Sequence, residues 1–225
     1  MRPIQLDERL SLAASLYTPC ELGADIGTDH GLLPCRLLED GICKRMILSD
    51  VSPKAIEHAR IQVEKRGLQE RTAILCADGL DALTEPAQCV SIMGMGGRTI
   101  AAILRGGADK LAGADLICSA HTELPEMRRA IADAGYHLVQ ERLCRAAGRW
   151  YVFVKAVPGA AAYSPLDLAV GPLLRTVGDP LLKEYAAWRV DVLLDKLHGL
   201  QSASVPSPDE LAQTEETLAA YRAML

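Results

Sequence analysis

Apolar and polar positions follow two rhythms along this chain. Residues 6–17, LDERLSLAASLY, place apolar side chains at 6, 10, 12, 13 and 16–17. That spacing predicts an amphipathic helix, which Thr18-Pro19 ends because the residue before a proline is pushed out of the helical region. ELGADI then reads as a short buried strand running into the glycine-rich turn GTDHG, and LLPCRLLED as a helix. RMILSD is a second strand, followed by the helix SPKAIEHARIQVEKRGL. There Ser52 is the expected N-cap, Pro53 the first helical residue and Gly67 the stop. TAILCADG, CVSIMGMGG and ADLICSAH continue as strands with turns, and RTIAAILRGG and ELPEMRRAIADAGY as helices. YHLVQERLCRAAGRWYVFVKAV reads as two strands around the turn RAAGR. Strand–helix alternation repeated this often predicts an α/β fold, a mostly parallel sheet covered on both faces. The last two strands have no helix between them and are expected to pair as an antiparallel hairpin at one edge.

The pattern changes near residue 158. Pro158, Gly159 and a run of alanines lead into YSPLDLAVGPLL, and helical stretches follow at roughly 179–200 and 207–225, joined by SASVPSP. Leu182, Ala186, Arg189, Leu193 and Leu200 share a stripe on the first, and Leu211, Leu218 and Leu225 are spaced by seven on the second. This predicts a helical hairpin with a coiled-coil-like seam. The expected division is a sheet domain at 1–158 and a small helical domain at 159–225. The tail reads equally as a solvated extension of the domain or as an arm that meets a partner or orients RNA.

Composition narrows the class. Twenty-four Lys and Arg against 29 Asp and Glu give a net charge of −5, which argues against a binder that relies on one strongly basic face. It leaves room for a nucleic-acid enzyme with a local basic patch, for which Arg9, Arg98, Arg105, Arg128, Arg129, Arg145 and Arg149 are the candidates. Seven cysteines, none in a CxxC pair, offer no zinc knuckle or thioredoxin motif. Cys76, Cys89 and Cys118 lie in apolar runs and are expected to be reduced core residues. The N-terminal MRPIQLDERL lacks the apolar segment of a secretory signal, and no apolar run is long enough to span a membrane. The expectation is a cytoplasmic protein, a monomer or weak dimer, with no membrane and no metal.

Four bends after strands carry the candidate chemistry. ADIGTDHG ends a strand in Asp25-Ile26 and turns through Gly27, Thr28, Asp29, His30 and Gly31 into a helix, where glycine admits a ligand close to the backbone. Its spacing does not meet the dinucleotide GxGxxG fingerprint. Asp50-Val51 ends the next strand, where a carboxylate can accept hydrogen bonds from a ribose diol or cap the following helix. Ala77-Asp78-Gly79 follows the third strand and Met93-Gly94-Met95-Gly96-Gly97 the fourth. Together these bends mark the carboxyl edge of an open sheet, where ligands bind. GK[ST] is absent, so a phosphate-loop reading fails.

The loop at Asp25 resembles the D/E-x-G-x-G-x-G loop of S-adenosylmethionine methyltransferases, with Asp29 in place of the middle glycine. ADIGTDHGLLP, the AIEHARIQVEKRGL helix, ADGLDAL, MGMGG and the late GPLL with its helical tail resemble the bacterial TrmK family nearly end to end. That family methylates N1 of adenine 22 in tRNA with S-adenosylmethionine. The resemblance implies a Rossmann-like methyltransferase sheet with helices on both faces and a small α-helical, coiled-coil-like C-terminal domain. It also implies cofactor contacts from Asp25, Ile26, Gly27, Thr28, Gly31, Asp50, Val51, Ala77, Asp78, Gly79, Met93, Gly94 and Met95, with Asp78 meeting the adenine amino group. Ser119-Ala120-His121 stand where the family usually shows Gln-Pro-Asn, in the loop expected to face the acceptor.

Adenine N1 has an in-plane lone pair and needs no prior deprotonation, so such an enzyme chiefly positions and stabilises charge. Asp29 is the expected polar group at the reacting centre, and His30 is expected to contact base or cofactor, or to serve as a turn residue. Gly96, Gly97 and His121 are the expected substrate contacts. The alternatives are a methyltransferase of a non-RNA acceptor and a cofactor-binding interaction protein.

Overall fold

The computed structural model describes residues 3–176, 178–203, 205 and 207–225. Ser204 and Pro206 of the SASVPSP link, like Met1, Arg2 and Val177, lie outside the described residues. Seven strands form one sheet: β1 (Cys20–Ile26), β2 (Cys43–Asp50), β3 (Thr72–Cys76), β4 (Cys89–Met95), β5 (Asp115–Ala120), β6 (Tyr136–Ala146) and β7 (Arg149–Pro158). Their order is β3-β2-β1-β4-β5-β7-β6. The first five are parallel; β7 runs antiparallel to both β5 and β6. The expected edge hairpin is present, with its second strand inserted next to β5. The sheet reverses direction of construction at β1/β4, which opens a crevice at the carboxyl ends of those strands.

Helices cover both faces, as the alternation predicts. α1 (Glu8–Leu16), α2 (Leu32–Glu39) and α3 (Pro53–Arg66) pack on one face. α4 (Gly97–Gly107) and α5 (Leu124–Asp133) pack on the other. Local chemistry sets their ends. Asp7 caps α1 by accepting the Leu10 N–H, and Ser52 caps α3 by accepting that of Ala55. Gly67 ends α3 in the left-handed region at φ 67°. Period-two alternation on β7 divides its side chains: Tyr151 and Phe153 join the core on the α1–α3 face, and Val152, Val154 and Ala156 the core on the other.

The tail adds a helix that periodicity does not reveal. α6 (Pro165–Val170) is only six residues long, too short for a repeating stripe, yet Ser164 and Asp167 form a capping box around its start. α7 (Leu182–Gln201) and α8 (Pro208–Arg222) form the expected hairpin. Its seam is not the leucine heptad. Leu225 lies past the end of α8 and is exposed, and Leu211 is half-buried. The buried side of α8 is Thr214, Thr217, Leu218 and Tyr221 instead. The two threonines bury their hydroxyls by donating to the Glu210 and Gln213 carbonyls one turn back. The tail's Val170, Leu174, Tyr185, Ala186, Leu193 and Tyr221 share one apolar cluster with the sheet. A fully buried ion pair anchors the tail: Arg128 Nε to Glu141 Oε1 at 2.8 Å.

Two expectations need correction. Cys76 is exposed, because it ends the edge strand β3, which has a neighbour on one side only. Cys35, Cys43, Cys89, Cys118 and Cys144 are buried free thiols, and Cys20 is half-buried. Arg128 cannot meet a phosphate, since its side chain is 1% exposed and committed to Glu141 and to the Leu168 carbonyl. No helix among the described residues is long and apolar enough to cross a membrane.

Candidate active site

The acid-bearing bends converge on one rim, at the carboxyl ends of β1, β2 and β3. Pairing places Asp25 beside Leu48 and Asp50 beside Cys76, and Asp78 follows β3 by two residues. They surround a crevice of two lobes that share Gly27, Asp50, Val51 and Met95.

The smaller lobe, about 360 Å³, is walled by Ile26, Ala77, Asp78, Gly79 and the α4 side chain Ile103. Gly79 has φ 50°, and a Cβ there would press on Ile103 at 3.2 Å. Two carboxylates of this lobe differ in availability. Asp81 is ion-paired with Lys110, whereas Asp78 is exposed. Asp50 stands between the lobes; its Oδ1 accepts the Ser52 N–H at 2.9 Å and its Oδ2 the Asp29 N–H at 3.3 Å. Asp50 does not cap α3, which Ser52 does, but holds the Ser52 N–H just before it; its carboxylate has lone pairs to spare after these two bonds.

The larger lobe, about 710 Å³, is bounded by Asp25, Thr28–Asp29–His30, Met93–Gly94, Ser119, His121 and the aromatic pair Tyr151 and Phe153. Asp25 is 5% exposed. Ser91 Oγ donates to its Oδ1 at 2.5 Å, and the Tyr17 hydroxyl lies 2.6 Å from Ser91 Oγ. Burial raises the Asp25 carboxyl above its ordinary range, against the Ser91 hydrogen bond, which lowers it; burial likewise raises Tyr17. Asp29 is exposed and holds φ 48°, a left-handed conformation that aspartate tolerates better than most residues. His30 Nε2 lies 3.6 Å from Asp29 Oδ2, and its ring stacks on His58 at 4.7 Å. Asp29, His30 and His58 bring ligand-type atoms within 4.8 Å of one another, a cluster that the metal-free expectation did not foresee. His121 is exposed, packs edge-on to Tyr151 at 5.8 Å, and donates its backbone N–H to the Met95 carbonyl.

Three expected residues stand apart from the lobes. Gly31, at φ 66°, starts α2 and packs against Ala59. Gly96 and Gly97 start α4 against the following loop, where a Cβ on Gly97 would sit 2.1 Å from the Glu123 carbonyl oxygen. At Gly97 glycine answers close packing of the helix on the Thr122–Glu123 backbone, and at Gly31 it answers the left-handed φ. Arg9, one of the candidate basic residues, borders the larger lobe, and the structure adds residues that the sequence did not mark: Leu10 of α1, Tyr151 and Phe153 of β7, and Leu80 and Ile103 of the smaller lobe. Alternation on β7 carried the signal for Tyr151 and Phe153; nothing local marks α1 as a wall.

The crevice fits a nucleoside carrying a charged sulfur arm. Two carboxylates at 50 and 78 face one lobe, and Gly27, at φ 81°, holds a left-handed conformation that bares its backbone to the crevice, with the movable Met95 methyl beside it. Comparison with known proteins agrees. The profile of a methyltransferase domain matches residues 6–154. A tRNA (adenine(22)-N(1))-methyltransferase from Bacillus subtilis (strain 168) is 32% identical over 188 residues, covering 82% of this chain and 78% of that protein. The chain belongs to the TrmK family. Solved structures extend the likeness over the whole chain. Streptococcus pneumoniae Sp1610, described as a putative tRNA (m1A22) methyltransferase, superposes with a TM-score of 0.87 at 28% identity, covering 98% of this chain and all of that one. The same protein in complex with S-adenosyl-L-methionine gives 0.84. Bacillus subtilis TrmK gives 0.86 at 24% identity over 98% and 99% of the two chains, a likeness of fold.

Proposed function

We propose that this protein transfers a methyl group from S-adenosylmethionine to N1 of an adenine in tRNA, at position 22 as in the TrmK relatives. The observation that carries the reading is the shared rim: Asp50 and Asp78 face the smaller lobe while Asp29 opens onto the larger one, across Gly27 and Met95. When bound, S-adenosylmethionine supplies a methyl group activated by a sulfonium.

The chain's own residues do the rest. Asp78 accepts hydrogen bonds from the adenine amino group of the cofactor, and Asp50 from its ribose diol. Gly27, Thr28, Met93, Gly94 and Met95 shape the passage between lobes. The target adenine leaves its stack and enters the larger lobe. There Tyr151 and Phe153 exclude water from its faces. Methylation makes the base cationic, and its exocyclic amine then loses a proton to solvent water. Asp29, exposed beside the passage, holds that amine and stabilises the positive charge. His30 and His121 flank it as base contacts.

The assignment includes a cytoplasmic monomer or weak dimer, with residues 1–158 catalytic and 159–225 a helical tail. A non-RNA acceptor has the net charge of −5 and the Ser119-Ala120-His121 departure in its favour. Labelled S-adenosylmethionine incubated with bulk tRNA tests the proposal. Label recovered as 1-methyladenosine at position 22 is expected; cofactor binding without transfer to tRNA, or transfer to another atom, overturns it.

A further inference from the structure

A second cavity of about 310 Å³ lies on the other side of β7, between the sheet and the tail. Its position follows from strand geometry. Tyr151 points into the reaction lobe, so its neighbours Trp150 and Val152 point the opposite way and floor this groove. α7 and α8 supply the far wall through Tyr185, Trp188, Arg189, Lys196 and Thr214. His121 borders both cavities, so the groove lies next to the lobe assigned to the target base.

The groove's chemistry is specific. Trp150, Tyr185 and Trp188 form a ring cluster with centroids 5.4 to 6.3 Å apart. Tyr185 is buried, whereas Trp188 is 40% exposed, an unusual amount of open aromatic surface beside a cavity. The charges around it are paired with one exception. Glu123 is held by Arg98, Glu184 by Arg145 and Glu210 by Lys196. Arg189 has no carboxylate within ion-pair range and no hydrogen-bond partner for its buried Nε among the described residues. Its guanidinium is fixed over the rings of Trp188 and Tyr221 at 5.6 and 5.4 Å. A cation held in place without a counter-charge, next to the exposed part of the Trp188 ring, matches a phosphate and a base of one nucleotide.

We propose that this groove binds an unstacked nucleotide next to the target adenine, its base on Trp188 and Trp150 and its phosphate on Arg189. The inference rests on the tRNA reading above. Extruding the target base deprives its neighbour of a stacking partner, and an aromatic face beside the reaction lobe replaces that partner. The groove thereby gives the acidic tail a task in substrate positioning.

Trp150 and Trp188 are the chain's only tryptophans, so intrinsic fluorescence reports on this groove directly. Adding unmodified tRNA to the full-length protein is expected to quench the emission of the wild type, of Trp150→Phe and of Trp188→Phe. Trp188→Ala is expected to raise the KM for tRNA about ten-fold, in line with the loss of one stacked base. Trp188→Phe restores most of that loss. Arg189→Gln raises the same KM and lowers the slope of log affinity against log salt by about one. Affinity for S-adenosylmethionine, whose site lies across the rim, stays unchanged in all of these and certifies their folding. Should tRNA be methylated with unmoved fluorescence and wild-type KM in the variants, the groove proposal is wrong and the tRNA reading stands. Should the wild type transfer no label to tRNA, both fall.

Discussion

The backbone N–H of Asp29 is tied to the carboxylate of Asp50 at 3.3 Å. The residue proposed for catalysis thus takes its position from a residue proposed for the cofactor. Asp29 sits at φ 48° with its side chain in solvent, free of any role in the core. Asp29→Asn keeps a side chain that tolerates this backbone and removes only the charge. It is expected to lower kcat about a hundred-fold, the scale of one lost charge-stabilising contact. Cofactor affinity measured by calorimetry should shift by less than about three-fold, since the Asp50 tie uses the backbone. A variant that keeps the wild-type kcat at saturating cofactor but loses cofactor affinity would reassign Asp29 to the cofactor site.

Asp78 and Asp81 border the same lobe three positions apart, and only Asp81 is held in an ion pair, with Lys110. Asp78→Asn is expected to weaken S-adenosylmethionine binding about ten-fold or more, the scale of a hydrogen bond to a charged group. Asp81→Asn should change it little. Equal losses in the two variants would mean that the lobe's overall charge, and not a bond from Asp78, holds the ligand.

The legible parts of this molecule are the ones with local causes. Ser52-Pro53 and Gly67 bracket α3 as expected because caps act within one turn. The bends at Asp25, Asp50 and Asp78 were readable because each follows a run of apolar residues that has to be a strand. What stayed hidden depends on contacts distant in sequence. Cys76 sits in an apolar run yet ends exposed, since only the strand order puts β3 at an edge. Gly97 reads as a ligand glycine and is a packing glycine, because the Thr122–Glu123 backbone that crowds it comes from another loop. The heptad of α8 misplaced its buried face because Tyr221 packs edge-on to Tyr185 of α7, with ring centroids 6.0 Å apart.

Arg128 and Glu141 illustrate the same point with a larger energetic consequence. Both side chains are buried, 1% and 0% exposed. Glu141 Oε2 accepts the Leu173 and Leu174 N–H groups, and Arg128 Nη1 donates to the Leu168 carbonyl. The pair thereby fastens the segment after α6 to β6 and α5. Removing one partner leaves a buried charge uncompensated, at about 3–5 kcal/mol. Arg128→Met is expected to lower the thermal midpoint by many degrees and to expose the tail to limited proteolysis before the sheet. The double variant Arg128→Met with Glu141→Leu should recover part of the loss. A single variant with a wild-type melting curve would show that the tail is held by its apolar contacts alone.

Asp25 predicts a trade between stability and function. Burial raises its carboxyl pKa in the folded chain, and the unfolded chain ionises it near the ordinary value of about 4. Between those two values the folded state binds more protons than the unfolded one, so stability falls as pH rises through the window. Above it the cost of a buried carboxylate is fully present; below about pH 4 it is absent. Asp25→Asn removes the charge and keeps an acceptor for the Ser91 hydroxyl. The variant is expected to melt at a higher temperature than the wild type at pH 7, and the advantage should vanish towards pH 4. Its affinity for S-adenosylmethionine should fall if the Asp25 carboxylate, which borders the larger lobe, meets the ligand's cationic arm. Melting curves at the two pH values separate this account from a simple packing effect, which would give the same difference at both.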